Sequence, residues 1–312
     1  MRPPRLEDGP AVVDMFNEEA RALIGVGFTG LDWVTAPWSA PGVELERDFA
    51  VVLDDRGGMA GYFFLEHEPG QAQVFSIGGV ALALHGRGLG SAIVSEIERR
   101  ALAQVPAGGP AVTWRMGALA DEPRVTALLT AHGFVETRRF WSMRIAFDGP
   151  PQPAAAISGI ALRTLAEGEE AAVHDCMADA FRDHWGEEID PLDRWLHHHV
   201  HAAERFRPQL WQVALDGDRI VGALVASPVA DEEPEMGHID LVGVRRDSRG
   251  RGIGEALLRR GFCSLHQYGR AGAVLIVDSE SVTGATRLYQ RVGMTARPRF
   301  ANWDRPLRPP AA

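Results

Sequence analysis

The sequence predicts an α/β protein made of two similar domains in tandem, each a twisted mixed β-sheet flanked by helices. Three observations lead to this prediction: the length of the chain, an internal repeat, and the same order of strands and helices in both halves. At 312 residues the chain exceeds the usual size of a domain with one core. Since a domain typically contains roughly 150 residues, this length suggests two domains.

Two blocks of the first half recur in the second half. Residues 79–94 align without gaps on residues 243–258, at an offset of 252 − 88 = 164 positions. Residues 128–134 align on residues 288–294, at an offset of 293 − 133 = 160. Because both blocks keep their order and nearly their spacing, each half is predicted to be one copy of a repeated fold.

A segment rich in proline and alanine, residues 149–156, separates the two copies. It has no amphipathic period and is therefore predicted to be a linker. The sequence thus predicts an N-terminal domain at 1–148 and a C-terminal domain at 157–312.

Each copy has the same predicted order of elements: a hairpin, a further strand, a glycine-rich loop, a helix and a late helix. In the second copy we predict strands at 160–165, 211–215, 220–226, 237–244 and 273–277, and helices at 167–181, 191–201, 253–268 and 284–292. In the first copy we predict a hairpin at 49–65, a strand at 74–82, and helices at 89–102 and 123–131.

The composition is that of an ordinary globular protein, with 46% apolar and 24% charged residues. A net charge of −10 argues against a nucleic-acid-binding surface and weakly favours cationic substrates. The first residues lack the apolar region of a signal peptide, and no apolar run approaches the ~20 residues of a membrane span. We therefore expect a cytoplasmic protein with no membrane partner.

No metal site is predicted. The two cysteines, Cys176 and Cys263, are too few for a disulfide framework or a zinc site based on cysteine. His197 and His201 are four residues apart on a predicted helix, but no third ligand is identifiable nearby. We interpret this histidine-rich helix as a solvated or pocket-lining one.

A glycine-rich hexapeptide lies between an apolar strand and an amphipathic helix; its residues are Arg249, Gly250, Arg251, Gly252, Ile253 and Gly254. Glycines let the backbone approach a ligand, successive N–H groups can point into one concavity, and the helix adds the positive end of its dipole. This pattern is typical of a pyrophosphate site, and the two arginines add positive charge. It fits neither the Rossmann nor the P-loop pattern.

These motifs resemble the GNAT superfamily of N-acetyltransferases, whose cofactor loop reads [Q/R]-x-x-G-x-[G/A] after a strand. Arg249, Gly252 and Gly254 match that loop. In the first copy, Gly88 and Gly90 match the two glycine positions of this pattern, and the loop also includes Arg87. His85 stands at the first position of the pattern, in place of glutamine or arginine. The resemblance implies that the loop amides bind the pyrophosphate of acetyl-CoA, and that the cofactor lies between two splayed parallel strands, at 237–244 and 273–277.

The resemblance also implies an acid that protonates the departing thiolate, commonly a tyrosine of the last helix. Tyr289 occupies that position, and the aligned residue of the first copy is Leu129, which cannot donate a proton. We therefore predict that the C-terminal domain is catalytic and the N-terminal domain degenerate. The family often has an asparagine near the start of this block, where the present sequence has Val282.

The base is predicted on the strand before the cofactor loop. Alternation places His238 and Asp240 on one face of this strand and Ile239 and Leu241 on the other. The family position is often glutamate, which aligns with His238, so His238 or Asp240 is the candidate base or substrate contact. Backbone N–H groups around Val242 or Val244 are expected to polarise the thioester carbonyl.

The acceptor side of the site is predicted to include three residues after the first helix of the second copy, a region that lines the acceptor pocket in this family. They are Asp183, His184 and Trp185. Polar groups beside an aromatic ring suit a polar amine, and the carboxylate could pair with an ammonium group. An exposed helix end is the alternative interpretation.

The predicted function is transfer of an acetyl group from acetyl-CoA to the amine of a small polar molecule by direct attack. The tandem layout also resembles the mycothiol synthases, which acetylate the cysteinyl amine of a thiol precursor, so this substrate remains an alternative. Two others remain open: a non-catalytic acyl-CoA-binding regulator, and an acetyltransferase of protein lysines or N-termini. We expect a monomer or a homodimer.

Overall fold

The structure is a computed structural model that describes residues 1–27, 29–40, 42–67, 71–105, 110–182, 189–201, 206–230, 233–280 and 284–308. The chain forms two compact units. The first unit contains Met1–Phe140 and Pro298–Ala312, and the second contains Trp141–Arg297.

The first unit is a mixed sheet covered by helices on both faces. Its strands are β1 (Phe49–Leu53), β2 (Met59–Glu66), β3 (Gln73–Val80), β4 (Val112–Leu119), the first part of β5 (Val135–Ala146) and most of β11 (Thr295–Arg308). Its helices are α1 (Gly9–Ile24), α2 (Leu31–Thr35), α3 (Leu45–Asp48), α4 (Leu89–Gln104) and α5 (Pro123–Ala131). Neighbouring strands follow the order β1-β2-β3-β4-β11.

The second unit repeats this plan. Its strands follow the order β5-β10-β9-β8-β7-β6. They comprise residues 141–146 of β5, β6 (Ile160–Thr164), β7 (Gln212–Asp216), β8 (Arg219–Ser227), β9 (Met236–Val244) and β10 (Gly272–Asp278). Its helices are α6 (Glu170–Phe181), α7 (Leu192–Leu196), α8 (Ile253–Gln267) and α9 (Ala285–Arg291).

The predicted fold class is confirmed, since both units are mixed sheets flanked by helices and the predicted elements occur in the predicted order. One predicted helix is wrong. Residues 191–201 are not one α-helix, because α7 ends at Leu196 and His197–His201 form a π-helical turn. His197 and His201 therefore lack the α-helical spacing assumed for them.

The two compact units are not divided at a single point near residue 148. The end of β5 belongs to the second unit, and residues 298–308 of β11 belong to the first. Each unit thus includes part of the closing strand of the other half of the chain. The predicted domains at 1–148 and 157–312, with a linker at 149–156, stay predictions.

Helical periodicity explains how the sheet of the second unit is covered. Helix α6 buries Val173, Cys176, Met177 and Ala180, which recur at the i, i+3, i+4 spacing of one helix face. They pack in a cluster with alternate residues of β8, such as Ala223 and Val225. Helix α8 packs in a second cluster with the intervening residues Leu224 and Ala226. The two clusters are therefore on opposite faces of the sheet.

Strand β9 contains a β-bulge at Asp240. The antiparallel register pairs Val225 with Leu241 but Ala226 with Ile239, so Asp240 is the extra residue. As a result Ile239 packs in the α8 cluster while Leu241 packs in the α6 cluster. The predicted alternation is wrong for Leu241, because the bulge adds one residue to the period of two.

The parallel strands β9 and β10 separate early. Their paired register begins at Met236 and Gly272 and ends at His238 and Val274. Strand β9 continues for another 244 − 238 = 6 residues toward the glycine-rich loop. The predicted splayed pair of parallel strands is therefore present, with a gap beside residues 239–244.

Candidate active site

The glycine-rich loop connects the splayed strand β9 to helix α8. Gly250 and Gly252 have left-handed φ values of 78° and 83°, and a Cβ added at either would meet no atom within 4 Å. Among the backbone hydrogen bonds of the described residues, none of normal geometry is donated by the N–H groups of residues 250–252. The first intrahelical bond runs from the Ala256 N–H to the Gly252 carbonyl, at 3.1 Å. The loop is thus an open concavity of N–H groups at a helix N-terminus, which suits an anionic group.

Both arginines of the loop have protein partners. The Arg249 guanidinium donates to the Ala180 carbonyl at the end of α6, at 2.8 Å, and to the Val244 carbonyl at 3.4 Å. Arg251 forms an ion pair with Asp216 at 2.7 Å. Arg249 therefore joins the loop to α6 and to the end of β9.

The third glycine of the motif has a packing role. A Cβ on Gly254 would lie 3.1 Å from Leu288 Cδ2 in α9. In the first unit a Cβ on Gly90 would lie 3.0 Å from Leu128 Cδ2 in α5. The two blocks recognised as repeats in the sequence therefore contact each other, and this glycine brings the last helix close to the loop helix.

The backbone of β9 presents N–H groups to the gap. The Arg245 N–H donates to the Val221 carbonyl of β8 at 2.8 Å. Successive N–H groups of a strand point to opposite edges, so those of Val242 and Val244 point away from β8, toward the side of β10. Because the register with β10 has already ended, these N–H groups face the gap.

Three polar side chains form a chain of hydrogen bonds on the α6 side of the sheet. His238 Nδ1 lies 2.9 Å from Asp240 Oδ1, and the Ser227 hydroxyl donates to Asp240 Oδ2 at 2.5 Å. The predicted neighbours His238 and Asp240 are therefore on one face. Ser227 was not predicted, although it is paired with His238 across β8 and β9.

The carboxyl of Asp240 is held in its charged form. Burial raises its pKa, but the hydrogen bond and charge of His238, followed by the Ser227 hydroxyl and the charge of His199, outweigh burial, so that the pKa lies below its usual value. His199 is in the π-helical turn, where its ring centroid lies 4.9 Å from that of the buried Trp195. The turn after α7 therefore contributes to this polar cluster, and it belongs to the histidine-rich segment that was interpreted from the sequence as solvated or pocket-lining.

Tyr289 lies on the other face. It is 7% exposed and belongs to the α8 cluster, against which Val242 and Val244 also pack. Burial raises the pKa of Tyr289, so the phenol keeps its proton at neutral pH. The candidate acid and the His238–Asp240 pair therefore lie on opposite faces of the sheet.

Four residues singled out in the sequence lie outside the described residues. They are Asp183, His184, Trp185 and Val282. Their suggested roles on the acceptor side and in cofactor contacts stay predictions.

The first unit retains the loop but has a shorter gap. Gly86 and Gly88 have the same left-handed φ as their counterparts, at 75° and 81°. His85 Nε2 lies 2.9 Å from the Val80 carbonyl, the counterpart of the contact from Arg249 to Val244. The register of β3 with β4, however, continues to Ile77, only 80 − 77 = 3 residues from the end of β3.

Two further differences distinguish the first unit. The β2–β3 register has no shift, so β3 lacks the bulge of β9. Leu129, at the position of Tyr289, is 1% exposed and packs in the core. Only the second unit therefore combines the loop with a splayed strand pair, a bulge and a tyrosine.

A loop of N–H groups for an anion, a gap between parallel strands and a buried phenol together define an acyltransferase of tandem GNAT fold. The comparisons with known proteins agree. The sequence model of the acetyltransferase (GNAT) family matches residues 171–294. A GCN5-related N-acetyltransferase of known structure from Sphaerobacter thermophilus is 30% identical, with a TM-score of 0.81 over 99% of this chain and 96% of that one. The chain belongs to the GCN5-related N-acetyltransferase family.

Among curated proteins the chain is similar to mycothiol acetyltransferases. That of Nocardia farcinica is 29% identical over 78% of this chain and 78% of its own length. That of Geodermatophilus obscurus is 29% identical over 83% and 82%. A tandem GNAT protein from the clavulanic acid biosynthesis pathway shares the fold, with 15% identity and a TM-score of 0.69 over 99% of this chain and 98% of that one.

Family membership makes this protein an acyltransferase, so a non-catalytic regulator is not retained as an alternative. Among the helices of the described residues, none is long and apolar enough to cross a membrane.

Proposed function

We propose that this protein transfers an acetyl group from acetyl-CoA to the amine of a small polar molecule, with the active site in the second unit. The observation that carries the proposal is the early end of the β9–β10 register beside the bulge in β9. In the proposed site this gap is where the cofactor, bound on the face with the glycine-rich loop and Tyr289, meets the amine on the face with His238 and Asp240. In the first unit the gap beside the loop is only half as long, which supports a single catalytic unit.

In the proposed reaction the N–H groups of residues 250–254 bind the pyrophosphate of acetyl-CoA. The acyl group enters the gap, where the N–H groups of Val242 and Val244 stabilise the developing oxyanion. The amine attacks the thioester carbonyl carbon, forming the C–N bond, and the C–S bond breaks. His238 or Asp240 takes the amine proton, and the Tyr289 hydroxyl donates a proton to the sulfur.

One observation supports a more specific substrate. The chain is similar to mycothiol acetyltransferases over about four fifths of its length. This similarity favours the cysteinyl amine of the desacetyl precursor of mycothiol. The assay compares this precursor with a panel of small amines and with basic peptides. A precursor with kcat/KM at least ~10-fold above the other amines, or about 1.4 kcal/mol of discrimination, would support this substrate, and a flat panel would contradict it.

The cofactor part of the proposal is tested by blocking each loop. Gly252→Trp fills the open space above the second loop, and Gly88→Trp does the same in the first, since both glycines have left-handed φ and no atom within 4 Å of an added Cβ. We expect Gly252→Trp to lose the binding of acetyl-CoA to the second loop, measured by isothermal titration. Turnover is expected to be lost with it. Gly88→Trp is expected to leave turnover unchanged.

Gly269→Trp is the matched control. Gly269 follows the opposite end of α8, has φ +88°, and also has nothing within 4 Å of an added Cβ. It therefore shares the strain of a left-handed non-glycine residue, about 1–2 kcal/mol, without blocking the loop. If acetyl-CoA bound with unchanged affinity to a variant carrying both loop substitutions, the proposed cofactor site would be wrong.

A further inference from the structure

The last turn of helix α6 packs directly on strand β9. A Cβ added to Gly243 would lie 2.9 Å from Ala180 Cβ and 2.9 Å from Met177 Sδ, so the helix approaches the backbone of the strand closely. This is the face of β9 that also carries His238 and Asp240. Helix α6 therefore covers the side of β9 on which the proposed function places the amine.

Two arginines directly after β9 bind side chains of α6. The guanidinium of Arg245 is buried; it donates from Nε to the Ile220 carbonyl at 2.9 Å and from Nη2 to Asp175 at 2.5 Å. The Arg246 N–H donates to the Asp179 carboxylate at 3.0 Å, and the Arg246 Nε lies 3.8 Å from the same carboxylate. Asp175 and Asp179 are four residues apart, so both contacts lie on one side of the helix.

A third arginine, Arg249, binds the end of the helix. It donates to the Ala180 carbonyl at 2.8 Å. The carbonyls of the last helical turn lack partners within the helix, and a positive charge is stabilised at this end of the helix dipole. Because Arg249 is also the first residue of the glycine-rich loop, these contacts join the loop to α6. We call the set the arginine clasp; it consists of Arg245, Arg246 and Arg249 with Asp175, Asp179 and Ala180.

The first unit does not repeat the arginine clasp. The internal repeat aligns the three arginines with Ala81, Leu82 and His85. Alanine and leucine side chains carry no hydrogen-bond donor. His85 Nε2 lies 3.9 Å from Glu19 of α1, so a single contact with the covering helix remains at these three positions. The arginine clasp therefore belongs to the unit that also has the longer gap, the bulge and the tyrosine.

We propose that Arg245, Arg246 and Arg249 are positioning residues that hold α6 on β9 when acetyl-CoA occupies the glycine-rich loop, and that they thereby set the affinity for the amine. This inference rests on the proposed function and adds how the cofactor side determines the amine side. A pyrophosphate bound by the N–H groups of residues 250–252 restrains the loop, and the arginine clasp extends this restraint to the last turn of α6. The two ligands then raise each other's affinity, because such coupling is reciprocal.

The opposite end of α6 provides a matched control for Asp179. Glu169 directly precedes the helix, accepts a hydrogen bond from the Ala166 N–H at 2.9 Å and pairs with Arg163 at 2.6 Å. Like Asp179, it is a carboxylate that accepts one backbone N–H and contacts one arginine across a turn of the chain. Its replacement by alanine therefore loosens α6 at the end away from the glycine-rich loop.

The first test is amide hydrogen exchange of residues 173–181 with and without acetyl-CoA, which requires no amine. Asp179→Ala removes the acceptor of the Arg246 N–H and leaves the glycine-rich loop unchanged, so acetyl-CoA should bind with nearly the affinity of the wild type. We expect acetyl-CoA to slow the exchange of these amides in the wild type and in Glu169→Ala. In Asp179→Ala the cofactor should bind without slowing it.

The second test is steady-state kinetics with the amine found in the panel. Asp179→Ala is expected to raise the KM for the amine ~10-fold, within the usual range of coupling between two ligands, with little change in the KM for acetyl-CoA. Asp179→Asn keeps an oxygen that can accept the Arg246 N–H, so most of the amine affinity should return. Glu169→Ala should keep the wild-type KM for the amine, although urea unfolding shows it to be destabilised.

Two results would overturn the inference while the proposed function stands. In the first, acetyl-CoA binds to the wild type and leaves the exchange of residues 173–181 unchanged. In the second, Glu169→Ala raises the KM for the amine as much as Asp179→Ala does, which would reduce the arginine clasp to general support of the helix. A wild type in which acetyl-CoA protects α6 but no amine is acetylated would instead contradict the proposed function and leave the coupling through the clasp in place.

Discussion

Tyr289→Phe is expected to reduce kcat by ~10²–10⁴-fold, the range over which a positioned general acid contributes, with little change in the KM for acetyl-CoA. The substitution removes one oxygen and keeps the ring that packs with the α8 cluster. Burial raises the pKa of Tyr289, so the phenol is protonated throughout the working pH range and can donate to the thiolate. Steady-state kinetics with a thiol-release assay measures both constants.

The matched control for this substitution is Tyr268→Phe. Tyr268 lies directly after α8, at the end away from the glycine-rich loop, and its hydroxyl accepts a hydrogen bond from Arg207 Nε at 3.0 Å. Tyr268→Phe therefore removes the same hydroxyl oxygen at a position away from the gap. Turnover of this variant should be unchanged. If Tyr289→Phe turned over at the wild-type rate, Tyr289 would have no part in the reaction, and the thiolate would take its proton from elsewhere.

The largest expected effect on stability is that of Gly272→Ala at the start of β10. An added Cβ would overlap the Ile145 carbonyl oxygen of β5 and the end of the Met236 side chain, both of which would be closer than 3.0 Å. A side chain can rotate away, but a carbonyl in a sheet moves only with its strand. We expect the free energy of unfolding to fall by about 3 kcal/mol, the upper part of the range for overpacking.

Urea unfolding followed by circular dichroism measures this loss, and Gly149→Ala is the control. Gly149 has no positive φ and no atom within 4 Å of an added Cβ, so its substitution should change stability by less than about 0.5 kcal/mol. Equal unfolding midpoints for the two variants would show that β10 and β5 are not packed as closely as described. The β10 variant is also expected to bind acetyl-CoA less well, since β10 forms one side of the gap.

Much of the fold could be predicted because its signals are local. The glycine spacing of the two loops, the helical periodicity of α6 and α8, and the hairpin of β7 and β8 each occupy short stretches of sequence. Because the chain contains an internal repeat, the signals of the glycine-rich loop and of the late helix each occur twice. His238 and Asp240 were found in the same way, since they are two residues apart on one strand, and Tyr289 was found because its block is repeated with leucine in the first half.

The sequence by itself thus determined the two copies of the fold, the two glycine-rich loops and the loss of the tyrosine from the first copy. Only the tertiary structure decided where the register of β9 and β10 ends, that Asp240 forms a bulge, that Ser227 binds its carboxylate, and that Arg249 is held by Ala180. It also decided that β5 and β11 each contribute to both units. The physical reason is that a register, a bulge and a hydrogen bond between strands depend on partners far away in the chain, and these partners meet only when the chain is folded.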